Sequence, residues 1–120
     1  MEYLKIPTSN ELLRVQVNDI VCIEADGNYS KLTFASGWSH TLTMQLHCFA
    51  DVFEKTGLTD FVRVGRSLIV NQRFVSMIQL TDKRLVLQGG RMTQVVRLSA
   101  SRDALNDLKQ KLEGGQYEEA

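Results

Sequence analysis

The sequence lacks the features that mark several large classes of protein. Its 120 residues include one proline, two cysteines and one tryptophan. No apolar run approaches the roughly 18–20 residues that a membrane-spanning helix needs, and residues 1–7 lack the apolar stretch of a signal peptide. No repeat, low-complexity segment or linker divides the chain. The sequence therefore predicts a single domain without a membrane segment.

The two cysteines do not form a metal-binding pattern. Cys22 lies in an apolar run predicted as a strand and Cys48 in a predicted helix, so neither belongs to a Cys-x-x-Cys pair. The spacing of His40, His47 and Cys48 matches no metal-ligand pattern either. Two buried free thiols are the better interpretation, and they are typical of a reducing compartment such as the cytoplasm. We expect neither a metal nor a cofactor.

Signs of catalysis are also missing from the sequence. The Gly89 and Gly90 pair is a hairpin signal rather than a glycine-rich phosphate loop. Ser67, Ser99 and Ser101 have no histidine near them in the sequence that would act as a base. The sequence therefore predicts a binding protein and not an enzyme.

The charges of the chain balance in total but are unevenly distributed. Lys and Arg number 14, as do Asp and Glu, yet residues 61–102 carry eight cations and one acid, Asp82, which leaves +7 there and −7 elsewhere. We call residues 61–102 the basic segment. Seven of its cations are arginines, whose planar guanidinium suits phosphate oxygens and guanine edges. This asymmetry indicates a surface for a polyanion such as nucleic acid, although solvated strand faces would also explain it.

Hydrophobic patterning predicts a mainly β fold of about ten short strands. Short runs rich in β-branched and aromatic residues alternate with turn residues, and residues 26–28 (DGN) predict a tight hairpin turn. The runs assigned individually are 3–6, 12–17, 20–25, 29–35, 38–44, 61–64, 73–80, 84–88 and 92–98.

Two helices are predicted among these strands. Over residues 45–55, apolar side chains recur at three- and four-residue spacing, and Gly57 is a suitable stop. Residues 102–112 show a second apolar stripe, with Ser101 as the predicted N-cap. The residues after it, 114–120, are predicted to be a flexible tail.

Three stretches of the chain carry a resemblance to a known family. Residues 19–29 (DIVCIEADGNY) resemble the opening of a LytTR DNA-binding domain, a bacterial transcription-factor module. Residues 61–71 (FVRVGRSLIVN) resemble the family's most distinctive stretch, an arginine followed by an Arg-Ser pair and then Val-Asn. Residues 98–102 (LSASR) resemble its closing Ser-Arg element. The three occur in the family's order and, with the strands between them, cover about residues 4–112.

The resemblance implies a fold and a mode of action. Domains of this family are elongated, with stacked β-sheets whose loops enter the major groove of double-stranded DNA. They usually bind paired direct repeats near promoters, often as two copies, and act in transcription regulation. Residues 1–113 are then the expected DNA-binding domain. A receiver domain or sensor system usually accompanies this module; because the chain contains no receiver, a stand-alone regulator and an excised output domain both remain open.

The resemblance also implies roles for individual residues. Arginines at the family's base-contacting positions suit the task because a guanidinium bonds bidentately to guanine. The predicted base contacts are Arg66, Arg102, Lys31 and Ser30. Phosphate contacts fix the position of the protein on DNA without reading its sequence. The predicted phosphate contacts are Arg63, Ser67, Arg73 and Ser99, and Lys31 suits either role.

Plainer interpretations stand beside these assignments. Arg63 is equally explained by an ion pair with Asp60, and we favour a backbone-bonding role for Asn71 over base reading. Gly65 occupies a position where the family commonly carries histidine, so one contact or packing interaction is missing. The alternative function is a protein-interaction module that uses the same β fold without specific DNA binding, and the zero net charge favours it.

Overall fold

Ten β-strands and two α-helices make up the part of the chain that the structure, a computed structural model, describes: residues 2–118. The helices are α1 (Leu46–Thr56) and α2 (Arg102–Leu112). The strands are β1 (Tyr3–Pro7), β2 (Leu12–Gln16), β3 (Ile20–Asp26), β4 (Tyr29–Phe34), β5 (Ser39–Leu42), β6 (Phe61–Val64), β7 (Leu68–Asn71), β8 (Val75–Gln79), β9 (Arg84–Leu87) and β10 (Val96–Ser99).

The strands form three antiparallel sheets. The first is the β1–β2 hairpin, the second has five strands in the order β5-β4-β3-β7-β6, and the third has the order β10-β9-β8. We call the second the central sheet and the third the three-stranded sheet. The molecule measures 43 × 31 × 28 Å. The predicted mainly β fold with stacked sheets and two helices is confirmed.

The central sheet is buried on both faces because its side chains alternate between two cores. Ile23 and Ile69 enter a first core with the β1–β2 hairpin and α1. Cys22 and Val70, their neighbours along β3 and β7, enter a second core with the three-stranded sheet and α2. All four are at most 1% exposed. The two helices therefore cover opposite faces of the central sheet.

The ends of the helices follow the local signals in the sequence. Helix α1 ends at Gly57, whose φ of 72° lies in the left-handed region that favours glycine. Helix α2 begins after Ser101, whose hydroxyl oxygen accepts a hydrogen bond of 3.2 Å from the Ala104 N–H. These observations confirm the predicted stop, the predicted N-cap and the bounds predicted for the last helix. Helix α1 is shifted by one residue toward the C-terminus from its predicted range, 45–55.

Strand β7 is absent from the runs that the patterning assigns individually. All four of its residues are buried, because it lies between β3 and β6 and is covered on both faces. A short strand of this kind shows no alternation of apolar and polar residues. The run predicted at 73–80 is also shorter than expected, since a 3₁₀ turn (Gln72–Phe74) precedes β8. The runs predicted at 38–44 and 92–98 are also longer than the observed strands β5 and β10, although β10 extends one residue further, to Ser99.

The end of the chain was predicted to be a flexible tail over 114–120. Residues 114–118 form no helix or strand. The remainder of that predicted tail, Glu119 and Ala120, lies outside the described residues, as does Met1 at the start of the predicted domain. The flexibility of the tail stays a prediction. No helix within residues 2–118 is long and apolar enough to cross a membrane.

Candidate nucleic-acid interface

Two turns lie side by side at one end of the central sheet. A two-residue turn, 27–28, joins β3 to β4. Glu24 near the end of β3 pairs with Leu68 at the start of β7, so the β6–β7 turn (65–67) lies at the same end. The N–H of Ala25 donates a 2.9 Å hydrogen bond to the carbonyl of Ser67 and ties the two turns together.

Helix α2 brings Arg102 to this end of the sheet. A β-carbon at Gly65 would lie 3.4 Å from the β-carbon of Ala104, so the first turn of α2 packs directly on the β6–β7 turn. We call turns 27–28 and 65–67 together with the first turn of α2 (101–104) the loop end. Arg66 follows Gly65, Arg102 precedes Ala104 by two residues, and both arginines are exposed. The fold thus brings together two predicted base contacts that are distant in the sequence.

Lys31 projects on the same side of the central sheet as α2. It pairs with Glu24 across β3 and β4, and directly paired residues share a face. Leu68 also pairs with Glu24 and packs in the second core with α2. Lys31 is exposed and forms no ion pair with any residue from 2 to 118. The position of Lys31 is therefore compatible with a DNA contact made together with the loop end.

Ser30 does not lie on this surface. Its side chain is 0% exposed, and its hydroxyl donates a 2.6 Å hydrogen bond to the Met44 carbonyl. Alternation along β4 places Ser30 on the same face as Leu32, which packs in the first core. This corrects the predicted base contact at Ser30, because the side chain points into the protein and its donor is already used.

Two of the predicted phosphate contacts are exposed close to the loop end. Ser67 belongs to the β6–β7 turn beside Arg66. Ser99 is the last residue of β10, just before α2, and it pairs with Arg84 of β9. Their positions are compatible with the predicted role.

Arg63 has a partner within the protein. Its Nη2 donates a 2.9 Å hydrogen bond to the carbonyl of Arg66, three residues further on. Neighbouring Val64 packs in the second core, so Arg63 projects from the opposite face of β6. The alternative ion pair with Asp60 is not formed. Arg63 holds the backbone of the turn that carries Arg66.

Arg73 lies at the other end of the central sheet and is neutralised there. It follows β7, a strand of four residues that spans about 13 Å from the loop end. Its Nε donates a 2.7 Å hydrogen bond to Oδ2 of Asp60. Hydrogen bonds from Gln72 and from Arg73 lower the pKa of Asp60. These observations argue against the predicted phosphate contact at Arg73, because its charge is engaged and distant from the other candidates.

Ion pairs divide the cations of the basic segment into two groups. Arg73 pairs with Asp60, and Arg91 pairs with Asp19 at 2.8 Å. Both acids lie outside the basic segment. Within the part of the chain that the structure describes, the other cations of the segment form no ion pair. These are Arg63, Arg66, Lys83, Arg84, Arg97 and Arg102. The cations of the segment that form no ion pair with a described residue therefore lie at or near the loop end and on the adjoining three-stranded sheet.

Lys83 joins the loop end, although the sequence indicated it only as one cation of the basic segment. Its carbonyl accepts a 3.3 Å hydrogen bond from the Ala100 N–H, which places the β8–β9 turn beside the residues that precede α2. Its φ of 53° is the only positive φ of a non-glycine residue among those described. The left-handed region costs an L-residue about 1–2 kcal/mol. The sequence offered one signal for Lys83: it is a lysine in a predicted hairpin turn, where glycine is favoured.

Asn71 has the structural role that the sequence favoured. It is 1% exposed, its Nδ2 donates a 3.0 Å hydrogen bond to the Ile20 carbonyl, and its Oδ1 accepts one of 3.1 Å from the Arg73 N–H. These bonds fix the end of β7 against the start of β3. The prediction of a backbone-bonding asparagine is confirmed.

The two cysteines differ in their burial. Cys22 is fully buried, and desolvation, with a smaller effect of the Glu24 charge, raises its pKa to about 12. Cys48 is also a free thiol but is only partly buried. Among residues 2–118, no group of three or more His, Cys, Asp or Glu side chains is placed to hold a metal ion.

Comparisons with known proteins agree with this architecture. The family model of the LytTr DNA-binding domain matches residues 10–113. The chain is also similar in structure to the LytTr DNA-binding domain of a putative methyl-accepting/DNA response regulator from Bacillus cereus, with a TM-score of 0.66 and 19% sequence identity. That similarity covers 93% of this chain and 97% of the other, and at this identity it shows the fold alone. No curated protein matches the chain.

Proposed function

The chain belongs to the LytTR DNA-binding domain family, and we propose that its loop end binds double-stranded DNA in a sequence-specific way. One observation carries the proposal: the fold brings Arg66 and Arg102 together, exposed and without an acidic partner among residues 2–118. Cations without partners are available to bond DNA, whereas paired ones must first give up their acid.

The two arginines suit base reading in the major groove. Each guanidinium forms two parallel hydrogen bonds with O6 and N7 of guanine, which discriminates against other bases by about 1–3 kcal/mol. The groove is about 12 Å wide, enough to admit narrow turns such as those of the loop end. Lys31 and Lys83 then reach the edges of the groove, and the hydroxyls of Ser67 and Ser99 bond phosphates. Arg63 positions the turn.

We also propose the biological setting that the family resemblance implies. The protein acts in the cytoplasm of a bacterium as a transcriptional regulator or as the output domain of one. It binds paired direct repeats in promoters, with a second copy on the second repeat, and responds to a receiver domain or sensor system. Two copies on adjacent repeats give an effective concentration that strengthens weak single-site binding.

Selection of bound duplexes from a random pool tests the proposal. The wild-type protein should return a motif, and a doubled motif would give the spacing of the repeats. Arg66→Ala and Arg102→Ala should each lose preference at one base position, by about 1–3 kcal/mol. Arg91→Ala removes an arginine that is paired with Asp19 and serves as the control. If both loop-end variants kept the wild-type preference between the selected duplex and a scrambled one, the assignment would be refuted.

A protein-interaction role is the second candidate, and one exposed aromatic residue favours it. Trp38 is 52% exposed in the β4–β5 turn, which lies away from the loop end. Its ring stacks on Phe34 at 4.9 Å and on His40 at 5.5 Å. Exposed tryptophans are enriched where proteins bind each other. Absent or salt-insensitive binding to DNA in the experiment above would support this candidate, since DNA binding weakens with salt.

A further inference from the structure

Arg84 and Arg97 lie on one face of the three-stranded sheet. Ser99 pairs with Arg84, and Arg97 pairs with Val86. Directly paired residues share a face, and the intervening Leu85 is 0% exposed on the other side, in the second core. Arg84 and Arg97 are therefore diagonal neighbours, with Cα atoms about 7–8 Å apart. We call this surface the outer face; it consists of Met77, Gln79, Arg84, Val86, Arg97 and Ser99.

The arginines of the outer face have no ion-pair partner within residues 2–118. The strands β8, β9 and β10 contain no acidic residue. Arg84 and Arg97 are exposed, and neither forms an ion pair with a described residue. Like charges that neighbour each other on a sheet face oppose folding. A bound polyanion would remove that repulsion.

The outer face continues into the loop end. Ser99, opposite Arg84, is followed by Ala100, the α2 cap and then Arg102. On the neighbouring strand, Lys83 precedes Arg84, and its carbonyl accepts the hydrogen bond from the Ala100 N–H. Cations without an ion pair among residues 2–118 are therefore found from Arg97 and Arg84 on the outer face to Lys83 and Arg102 at the loop end.

We infer that the outer face binds the phosphate backbone of the duplex whose bases the loop end contacts. The inference rests on the proposed function and adds a second surface to it. Arginine forms bidentate hydrogen bonds with phosphate oxygens, and the two arginines are spaced to meet separate phosphates of one strand. Met77 is the one large apolar side chain of this face that is exposed. A surface so polar fits a DNA backbone better than the apolar centre of a protein interface.

Contacts to phosphates have a measurable signature. They add affinity for every duplex alike, and each contact increases the magnitude of the log–log dependence of affinity on salt by about 0.9, so its loss lowers that magnitude by the same amount. Each of Arg84→Gln and Arg97→Gln should therefore weaken binding about eightfold at 0.1 M salt. The loss should be the same for the duplex selected by the wild-type protein and for a scrambled duplex of equal length and composition.

Arg73→Gln and Arg91→Gln are matched controls, because they remove the same charge from arginines that are already paired with acids. We expect them to change affinity by less than about twofold and to keep the wild-type salt dependence.

Phosphate ethylation provides a direct map: modified phosphates beside the recognised bases should interfere with wild-type binding and cease to do so in the Arg84→Gln/Arg97→Gln double variant. Thermal melting without DNA verifies that each variant is folded.

The outcomes separate this inference from the proposed function. A wild-type protein without preference for any duplex would refute the function. A wild-type protein that prefers its selected duplex, while Arg84→Gln and Arg97→Gln keep full affinity and salt dependence, would refute the outer-face contact alone and leave the face for an acidic protein segment. Equal losses in the control variants would show an effect of net charge and would also refute it.

Discussion

The guanidinium of Arg63 donates a 2.9 Å hydrogen bond to the main-chain carbonyl of Arg66. This bond connects strand β6 to the turn that follows it and restrains the residue that we propose to read bases. A base-reading side chain discriminates well only when its backbone is held in place before binding. We therefore propose different tasks for the two arginines of this motif: Arg63 positions the turn and Arg66 contacts bases.

Replacement of Arg63 by alanine tests this division. Loss of the bond should reduce discrimination between the selected and scrambled duplexes by about 1 kcal/mol, the usual net value of such a bond. The salt dependence should stay at its wild-type value, because no phosphate contact is lost. Binding titrations at several salt concentrations measure both quantities. Arg63→Lys keeps the charge without the guanidinium fork, so wild-type behaviour of that variant would instead favour the phosphate contact.

Replacement of Gly65 by alanine should destabilise the protein and disturb recognition. Its φ of 66° costs an alanine about 1–2 kcal/mol, and the new β-carbon would lie 3.4 Å from that of Ala104. At 3.4 Å the added carbon would just touch Ala104, so we expect a shift of at most a few tenths of an ångström of the β6–β7 turn relative to α2, and of Arg66 relative to Arg102. Gly57→Ala is the control, since Gly57 has a φ of 72° but no atom within 4 Å of the added carbon. Urea denaturation should show a loss in both variants, and duplex titrations a loss of discrimination only for Gly65→Ala.

Replacement of Lys83 by glycine should change stability and DNA affinity in opposite directions. Glycine relieves the strain of the positive φ and should raise the free energy of unfolding by up to about 1 kcal/mol. The same change removes a cation beside the residues that precede α2 and should weaken binding. Thermal melting and duplex titration provide the two values. Asn also tolerates this conformation, so Lys83→Asn should behave similarly; a variant that melts lower and binds as well as wild type would contradict the prediction.

Replacement of Asn71 by alanine should lower stability by about 1–3 kcal/mol, because the Ile20 carbonyl and the Arg73 N–H lose their partner inside the protein. The effect on DNA preference should be nil once the variant is folded, since Asn71 is 1% exposed. Chemical denaturation followed by titration at low temperature separates the two effects. A stable Asn71→Ala variant with altered base preference would restore the base-reading interpretation.

Cys22 should make the protein less stable at alkaline pH. The unperturbed pKa is 9.0 and burial raises it to about 12 in the folded protein. Between these values the unfolded chain releases a proton that the folded protein retains, so stability is intact below pH 9 and falls as the pH rises toward 12. Urea midpoints measured above pH 9 should decline less steeply for Cys22→Ala than for the wild type. Parallel declines in the two proteins would show that other groups cause the loss.

Local chemistry made much of the fold predictable. The Ser101 cap, the Gly57 stop and the bounds of α2 depend on neighbouring residues in the chain, and all three are confirmed. Strand β7 has no such signal, because burial on both faces removes the alternation on which recognition of a strand depends. The candidate site was less predictable. Serine is a residue type that contacts DNA, and Ser30 is excluded only because its hydroxyl already donates to the Met44 carbonyl inside the protein.

The stretches around Arg66 and Arg102 can be recognised in the sequence because a family motif is defined by residue order. The +7 charge of the basic segment can be counted from the sequence because it depends only on composition. The sequence alone does not show which of these cations form ion pairs within the protein. Coulombic pairing depends on distance, and distances between remote residues arise only when the sheets and helices pack. That packing engages Arg73 with Asp60 and Arg91 with Asp19 and places Arg66 beside the start of α2. A chain with no net charge thereby presents, at one end, arginines that form no ion pair with a described residue.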